Sequence, residues 1–266
     1  MSLAKLNARI DEINSLLCVG LDSDLTRLPA SFQTQAEPQF AFNRWIIEQT
    51  HPFASAYKPN MAFYEARGDA GMRELKRTLD YLHEHHPGIF TICDAKRGDI
   101  GSTNRGYAEA IFDWLGFDAV TLHPYLGSEA LAPFLERADK TAIILCRTSN
   151  PGAGELQDLP IAGEPLWSVV ARMVAARWNA RGNCMLVVGA TYPAELAAVR
   201  AIVGAMPVLV PGVGAQGGSI EAAVRAGLNQ DGRGLLINAS RGILFSDDPG
   251  AEAQRLCDAI NQFRSG

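Results

Sequence analysis

Ile89-Phe90-Thr91-Ile92-Cys93-Asp94-Ala95-Lys96-Arg97-Gly98-Asp99 is an apolar run that gives way abruptly to charges and a glycine. Read as a β-strand, its apolar part lacks the in-and-out alternation of a half-solvated sheet, so both faces must be covered, as in a parallel sheet. Seven more runs share this character: Leu16 to Asp22, Ala54 to Lys58, Ala119 to Leu122, Ala142 to Cys146, Met185 to Val188, Val208 to Val210 and Leu235 to Ile237. Amphipathic stretches lie between them, at Phe40 to Thr50, Met72 to His85, Asn104 to Leu115, Leu166 to Ala180, Ala194 to Val203, Ile220 to Ala226 and Ala251 to Phe263. Strand and helix units of this number in 266 residues match one α/β domain of the (β/α)8 TIM-barrel type, with an open doubly wound sheet as the alternative. The barrel is preferred because several strands end in polar residues that converge only if the sheet closes. No repeat, low-complexity tract or linker marks a second domain, so residues 1–266 read as one.

Residues 23–38 and 149–165 interrupt the rhythm. Both are rich in Pro, Gly, Asp and Gln and follow the first and fifth strands, so they read as long loops at the active face.

Composition narrows the partners. The chain has 24 Lys plus Arg against 29 Asp plus Glu, net −5, with no long run of one sign, which argues against nucleic acid. No apolar run approaches the about 18 residues of a membrane span. At the N-terminus Leu3, Leu6, Ile10, Ile13 and Leu17 recur at helical spacing with Asp11 and Glu12 among them, unlike a signal or transit peptide. Cys18, Cys93, Cys146, Cys184 and Cys257 form no C-x-x-C pair and read as buried, inert thiols of a reducing cytoplasm.

Two constellations carry chemistry. Pro211-Gly212-Val213-Gly214-Ala215-Gln216-Gly217-Gly218-Ser219 follows the seventh strand and enters a helix, so backbone N–H groups and a helix N-terminus face an anion. Asn238-Ala239-Ser240-Arg241-Gly242 brings a guanidinium beside that cradle, where it can grip a phosphate. The second constellation is Asp94, Lys96 and Asp99. Residues two apart on a strand share a face, so Asp94 and Lys96 point together, and a lysine flanked by carboxylates favours its ammonium form. Asp22 and Lys58 end two further strands and complete an alternating Asp, Lys, Asp, Lys array at the barrel mouth.

Asp94-x-Lys96-x-x-Asp99-Ile100-x-x-Thr103, taken with Asp22, Lys58, Ser149-Asn150-Pro151-Gly152, the glycine-rich cradle and Arg241-Gly242, resembles the orotidine 5′-phosphate decarboxylase family, and its longer bacterial subgroup in particular. The motifs run in the family's order from residue 20 to 242. The resemblance implies cofactor-free, metal-free decarboxylation of orotidine 5′-phosphate to uridine 5′-phosphate, the last step of pyrimidine synthesis, in a homodimer of barrels. It implies ribose binding by Asp22 and Lys58, Asp94 against the departing carboxylate, and Lys96 protonating C6. Asp99 and Thr103 would enter the partner subunit's site. Ser149 would meet the pyrimidine through its backbone, and Gln216 would bridge base and phosphate. Arg241 and Gly242, with Pro211 and Gly217, would hold the phosphate.

Two rival readings are weaker. Related barrels that use magnesium share the third-strand pattern but bring an acidic ligand on the second strand, where this chain has Lys58, whose charge would repel a metal. A barrel that merely binds nucleotides has no need of the charged triad. His83-Glu84-His85-His86 lacks the i, i+4 pair of a helical zinc motif and reads as a solvated helix end. His123 reads as structural, and Trp45, Trp114, Trp167 and Trp178 as packing.

Overall fold

A computed structural model describes residues 2–213 and 218–264. Eight parallel strands close into a barrel: β1 (Leu17–Gly20), β2 (Ala56–Lys58), β3 (Phe90–Arg97), β4 (Ala119–Leu122), β5 (Thr141–Arg147), β6 (Cys184–Val188), β7 (Val208–Pro211) and β8 (Leu235–Ala239). β8 pairs with β1 through Leu17 opposite Ile237 and Cys18 opposite Asn238, which shuts the ring and decides between the closed and open sheets. Their buried, non-alternating sequences match a sheet lined by packed side chains inside and helices outside.

Helix α1 (Ser2–Ile13) precedes the barrel, and α2 (Pro38–Thr50), α3 (Gly68–His85), α4 (Gly101–Ala108), α5 (Gly127–Leu135), α6 (Leu166–Met173), α7 (Pro193–Val203), α8 (Ile220–Gly227) and α9 (Pro249–Gln262) follow the strands in turn. The first helix stops at Ile13, and Asn14 turns the chain with φ of 48°, so Leu17 opens β1 instead of extending the helix. α1 reaches the N-terminal ends of the strands, where Ser2 Oγ meets Thr141 Oγ1 at 2.5 Å and the Lys5 ammonium donates to Asp118 at 2.8 Å. Helix α5 escaped the sequence reading because Pro133 lies inside it; the carbonyl that the proline leaves unbonded belongs to the exposed Glu129. After α4 the chain continues as a π-helical turn, Glu109–Trp114, which changes the phase of the buried face. Ile111 and Phe112 turn inward, and Trp114 is 50% exposed, against the expectation that it packs.

Both long loops have structure of their own. Residues 23–38 hold a short helical turn, Leu25–Arg27, and a short helix, Ala30–Gln33. Residues 149–165 hold the helix Gly154–Gln157 and a small hairpin of Pro160–Ile161 with Glu164–Pro165. All five cysteines are buried and unpaired, and burial pushes the thiols of Cys18, Cys146 and Cys184 up to about 12, which keeps them protonated and inert. No helix among the described residues is long and apolar enough to cross a membrane.

Candidate active site

The C-terminal ends of the strands surround a cavity of about 490 Å³. Asp22, Lys58, Asp94, Lys96, Ser149, Pro211 and Arg241 all line it, so the barrel gathers residues that lie far apart in the sequence. Gly212 lines it too, with φ of 92°, a conformation open to glycine at little cost. Gly242 directly follows Arg241 in a short helix but does not line the cavity. Gln216 and Gly217, expected in the phosphate cradle, fall outside the described residues.

The charged array is a chain of direct contacts. Lys58 Nζ donates to Asp94 Oδ2 at 2.8 Å, and Lys96 Nζ donates to Asp94 Oδ1 at 2.6 Å. Asp22 stands beside it, accepting the Ser240 hydroxyl at 2.6 Å and the Asn60 backbone N–H at 3.2 Å. Lys58 is buried, and burial by itself would push its pKa down; the Asp94 and Asp22 carboxylates outweigh this and hold it above 10.5. For Asp94, burial works to raise the pKa, but the ammonium groups of Lys58 and Lys96 prevail and hold it well below 3.8. Both members of the buried pair are charged at neutral pH.

Asp94 and Lys96 do meet on one side of the strand, but not through regular alternation. β3 bulges here, and Lys96 takes φ of 48°, so its side chain is aimed by a left-handed turn of the backbone. Close packing also demands bare backbone at two strand ends. A Cβ on Gly20 would come within 2.7 Å of the Ser240 side chain, and one on Gly189 within 2.8 Å of Ser149 Cβ. Those glycines let the residues after β8 and β5 crowd in toward the cavity.

Asp99 and Thr103 do not line the cavity of their own chain. Asp99 Oδ1 accepts the Ile100 N–H at 2.7 Å, and Asn104 braces the turn by bonding both the N–H and the C=O of Asp99. Thr103 is exposed on α4. Exposed apolar side chains stand on the loops after β3 and β4: Ile100 at 62%, Tyr125 at 77% and Leu126 at 43%. His123 has the structural contact expected of it, a ring nitrogen 2.9 Å from the Gly98 carbonyl.

Asn60, Thr121, Ser240 and Asn238 are among the further cavity-lining residues that the sequence reading did not assign. Ser240 and Asn238 stand two apart, so strand alternation from Asn238 could have found the serine. The carboxamide oxygen of Asn238 is buried with no hydrogen-bond partner among the described residues. Of the two long loops, 149–165 reaches the cavity through Ser149, Asn150 and Gln157, while 23–38 contributes nothing to its lining.

Away from the cavity, Glu48, His51 and His86 come together between α2 and the end of α3. Within this group the Tyr81 hydroxyl and His86 Nε2 both bond Glu48, and the two imidazole rings lie with centroids 4.4 Å apart at a tilt of 31°.

Known proteins resemble this chain over nearly its whole length. The family described as orotidine 5′-phosphate decarboxylase / HUMPS matches residues 15–256. The chain is 48% identical over 269 residues to an orotidine 5′-phosphate decarboxylase of Azoarcus sp. (strain BH72), covering 98% of this chain and 99% of the relative. Among solved structures it is similar to Leishmania donovani OMP decarboxylase, with a TM-score of 0.90, 42% identity and coverage of 100% of this chain and 99% of that one. Against Leishmania donovani UMP synthase the TM-score is 0.89 at 44% identity, covering 98% of this chain but 56% of the synthase.

Proposed function

The chain belongs to the orotidine 5′-phosphate decarboxylase family, and from that premise we propose how its residues divide the reaction, with Lys96 as the proton donor to the pyrimidine C6. The enzyme is a carboxy-lyase that converts orotidine 5′-phosphate to uridine 5′-phosphate in pyrimidine biosynthesis. The reading of Lys96 is carried by one observation: a buried carboxylate, Asp94, shared at 2.8 and 2.6 Å by two lysines on the cavity wall.

Cleavage of the bond between C6 and the carboxyl carbon releases carbon dioxide and leaves the electron pair on C6, in the ring plane and outside the π system. The Lys96 ammonium stabilises that pair and then transfers a proton to C6. At about 3–4 Å and an effective dielectric of about 20, one ammonium contributes on the order of 4 kcal/mol, or about three powers of ten in rate. The rest has to come from preorganised charge and excluded water, with phosphate binding energy used to close the site. Asp94 faces the departing carboxylate, Asp22 and Lys58 bind the ribose hydroxyls, and the Ser149 backbone meets the base. Arg241 grips the phosphate beside the turn that begins at Pro211, and Gln216, Gly217 and Gly242 complete that cradle. No metal or cofactor enters the scheme.

Asp99 and Thr103 act in the site of a second copy in a homodimer. That neither lines the cavity of its own chain supports this, as do the exposed Ile100, Tyr125 and Leu126 on the loops after β3 and β4.

The test is the loss of orotidylate absorbance on mixing with enzyme, with and without EDTA, for wild type and Lys96→Ala. The expected result is chelator-insensitive turnover that the substitution reduces by at least about a thousandfold, the share assigned to the ammonium above. A variant keeping a tenth of wild-type kcat overturns the assignment of Lys96.

A further inference from the structure

β3 and β4 pair in step up to Cys93 opposite Val120, and the pairing resumes at Arg97 opposite Leu122. Between these points Asp94, Ala95 and Lys96 on one strand face only Thr121 on the other. The surplus is absorbed by the bulge in which Lys96 takes its left-handed φ of 48°. Such a conformation persists in a non-glycine residue only where its surroundings hold it.

Thr121 supplies that hold. It is 2% exposed, its hydroxyl oxygen accepts the Lys96 backbone N–H at 2.9 Å, and its proton goes to Asp94 Oδ1 at 3.0 Å. That same Oδ1 receives the Lys96 ammonium at 2.6 Å. One side chain therefore ties together the backbone from which the lysine springs and the carboxylate on which its far end rests.

We propose that Thr121 is a positioning residue for the decarboxylation: its hydroxyl sets where the Lys96 ammonium stands relative to C6. The proposal rests on the reading of Lys96 as proton donor. Removing the hydroxyl frees the bulge and leaves Asp94 Oδ1 with the lysine as its remaining side-chain donor, so the ammonium settles closer to the carboxylate or turns with the loosened backbone. A displacement of about 1 Å at a reacting group costs as much as a hundredfold in rate.

Thr121→Val keeps the side chain's shape and removes both hydrogen bonds. Its kcat is expected to fall about ten- to a hundredfold while KM changes less than about threefold, because phosphate and ribose contacts lie elsewhere in the cavity. Thr121→Ser restores the hydroxyl and is expected to return kcat to within about threefold of wild type. A purely structural role would lower the melting temperature and the fraction of active sites, leaving kcat per titrated active site unchanged, so kcat is normalised to active sites. Wild-type kcat in Thr121→Val, or an equal loss in the valine and serine variants, overturns the proposal. Should the valine variant fail to fold, the kcat ratio of Thr121→Ser to Thr121→Ala decides: about ten or more supports positioning, and about one overturns it. Lys96→Ala measured alongside separates the two readings. Turnover retained there removes the premise, whereas turnover lost there with an unimpaired Thr121→Val removes the positioning role alone.

Discussion

Lys58 keeps its charge where it has almost no water, at 4% exposure, because Asp94 accepts it at 2.8 Å. Taking away one member of a buried pair leaves the other uncompensated and typically costs about 3–5 kcal/mol. Lys96 still touches Asp94, so Lys58→Met is expected to fall toward the lower end of that range, read as a drop in melting temperature. The pair also dictates a pH dependence. The Asp94 carboxyl is held below 3.8, so its contribution is fully present above that pH and is lost as pH falls through its depressed value. The Lys58 ammonium is held above 10.5, so its contribution is fully present below that pH and is lost as pH rises through its raised value. The melting-temperature difference between wild type and Lys58→Met is therefore expected to stay flat from about pH 5 to about pH 10 and to shrink in stronger acid. A difference that shrinks already near pH 6 would contradict a charged, paired Asp94. At this scale the sequence was legible for residue types and poor for their mutual contacts. Asp94 and Lys96 stood out as charges at the end of an apolar run, but Thr121 in Ala119-Val120-Thr121-Leu122 looks like any strand threonine.

The elements around the mouth are held by contacts made after the strands end. Arg147, the last residue of β5, has a side chain only 4% exposed. It donates to Asp158 at 3.1 Å and Gln157 at 3.3 Å, and its guanidinium lies 3.9 Å from the Tyr192 ring centroid. Gln157 in turn accepts the Thr148 N–H at 2.9 Å and donates to the Thr148 hydroxyl at 2.8 Å. The loop 149–165 is thereby pinned back onto the strand from which it leaves, with Gln157 facing the cavity. Arg147→Met keeps the stem and loses the fork. It is expected to cost about 1–3 kcal/mol of stability and to raise the rate of proteolytic nicking within 149–165, measured by thermal melting and limited digestion. Unchanged digestion would mean the loop is held by other contacts. Composition revealed that this segment was a loop, but not its internal helix and hairpin, because short elements depend on such anchors more than on their own propensity. The π-turn at Glu109–Trp114 was equally hidden, since its phase shift moves Trp114 outward without changing any residue type.

For the whole molecule, the distribution of the motif across chains is what matters. Asp94 and Lys96 belong to their own cavity, whereas Asp99 and Thr103, a few residues further on, do not. If two copies exchange them, an enzyme lacking Lys96 and one lacking Asp99 complement each other. Co-expressed Lys96→Ala and Asp99→Ala chains are expected to recover about a quarter of wild-type activity, because random pairing gives half mixed dimers, each with one intact site. No recovery above the separate variants would contradict the shared site. The apolar runs, their number and their spacing determined a parallel α/β sheet from the sequence alone, since unbroken apolar strands must be buried on both faces, and the pairing of β8 with β1 decided its closure. The sequence also marked the residues that bear charge at strand ends. Only the tertiary structure decided which of those charges touch, that Lys96 is aimed by a bulge, and that Thr121 braces it. Such contacts depend on register between strands remote in the chain, and unbroken apolar strands, lacking a period-two pattern, specify that register weakly.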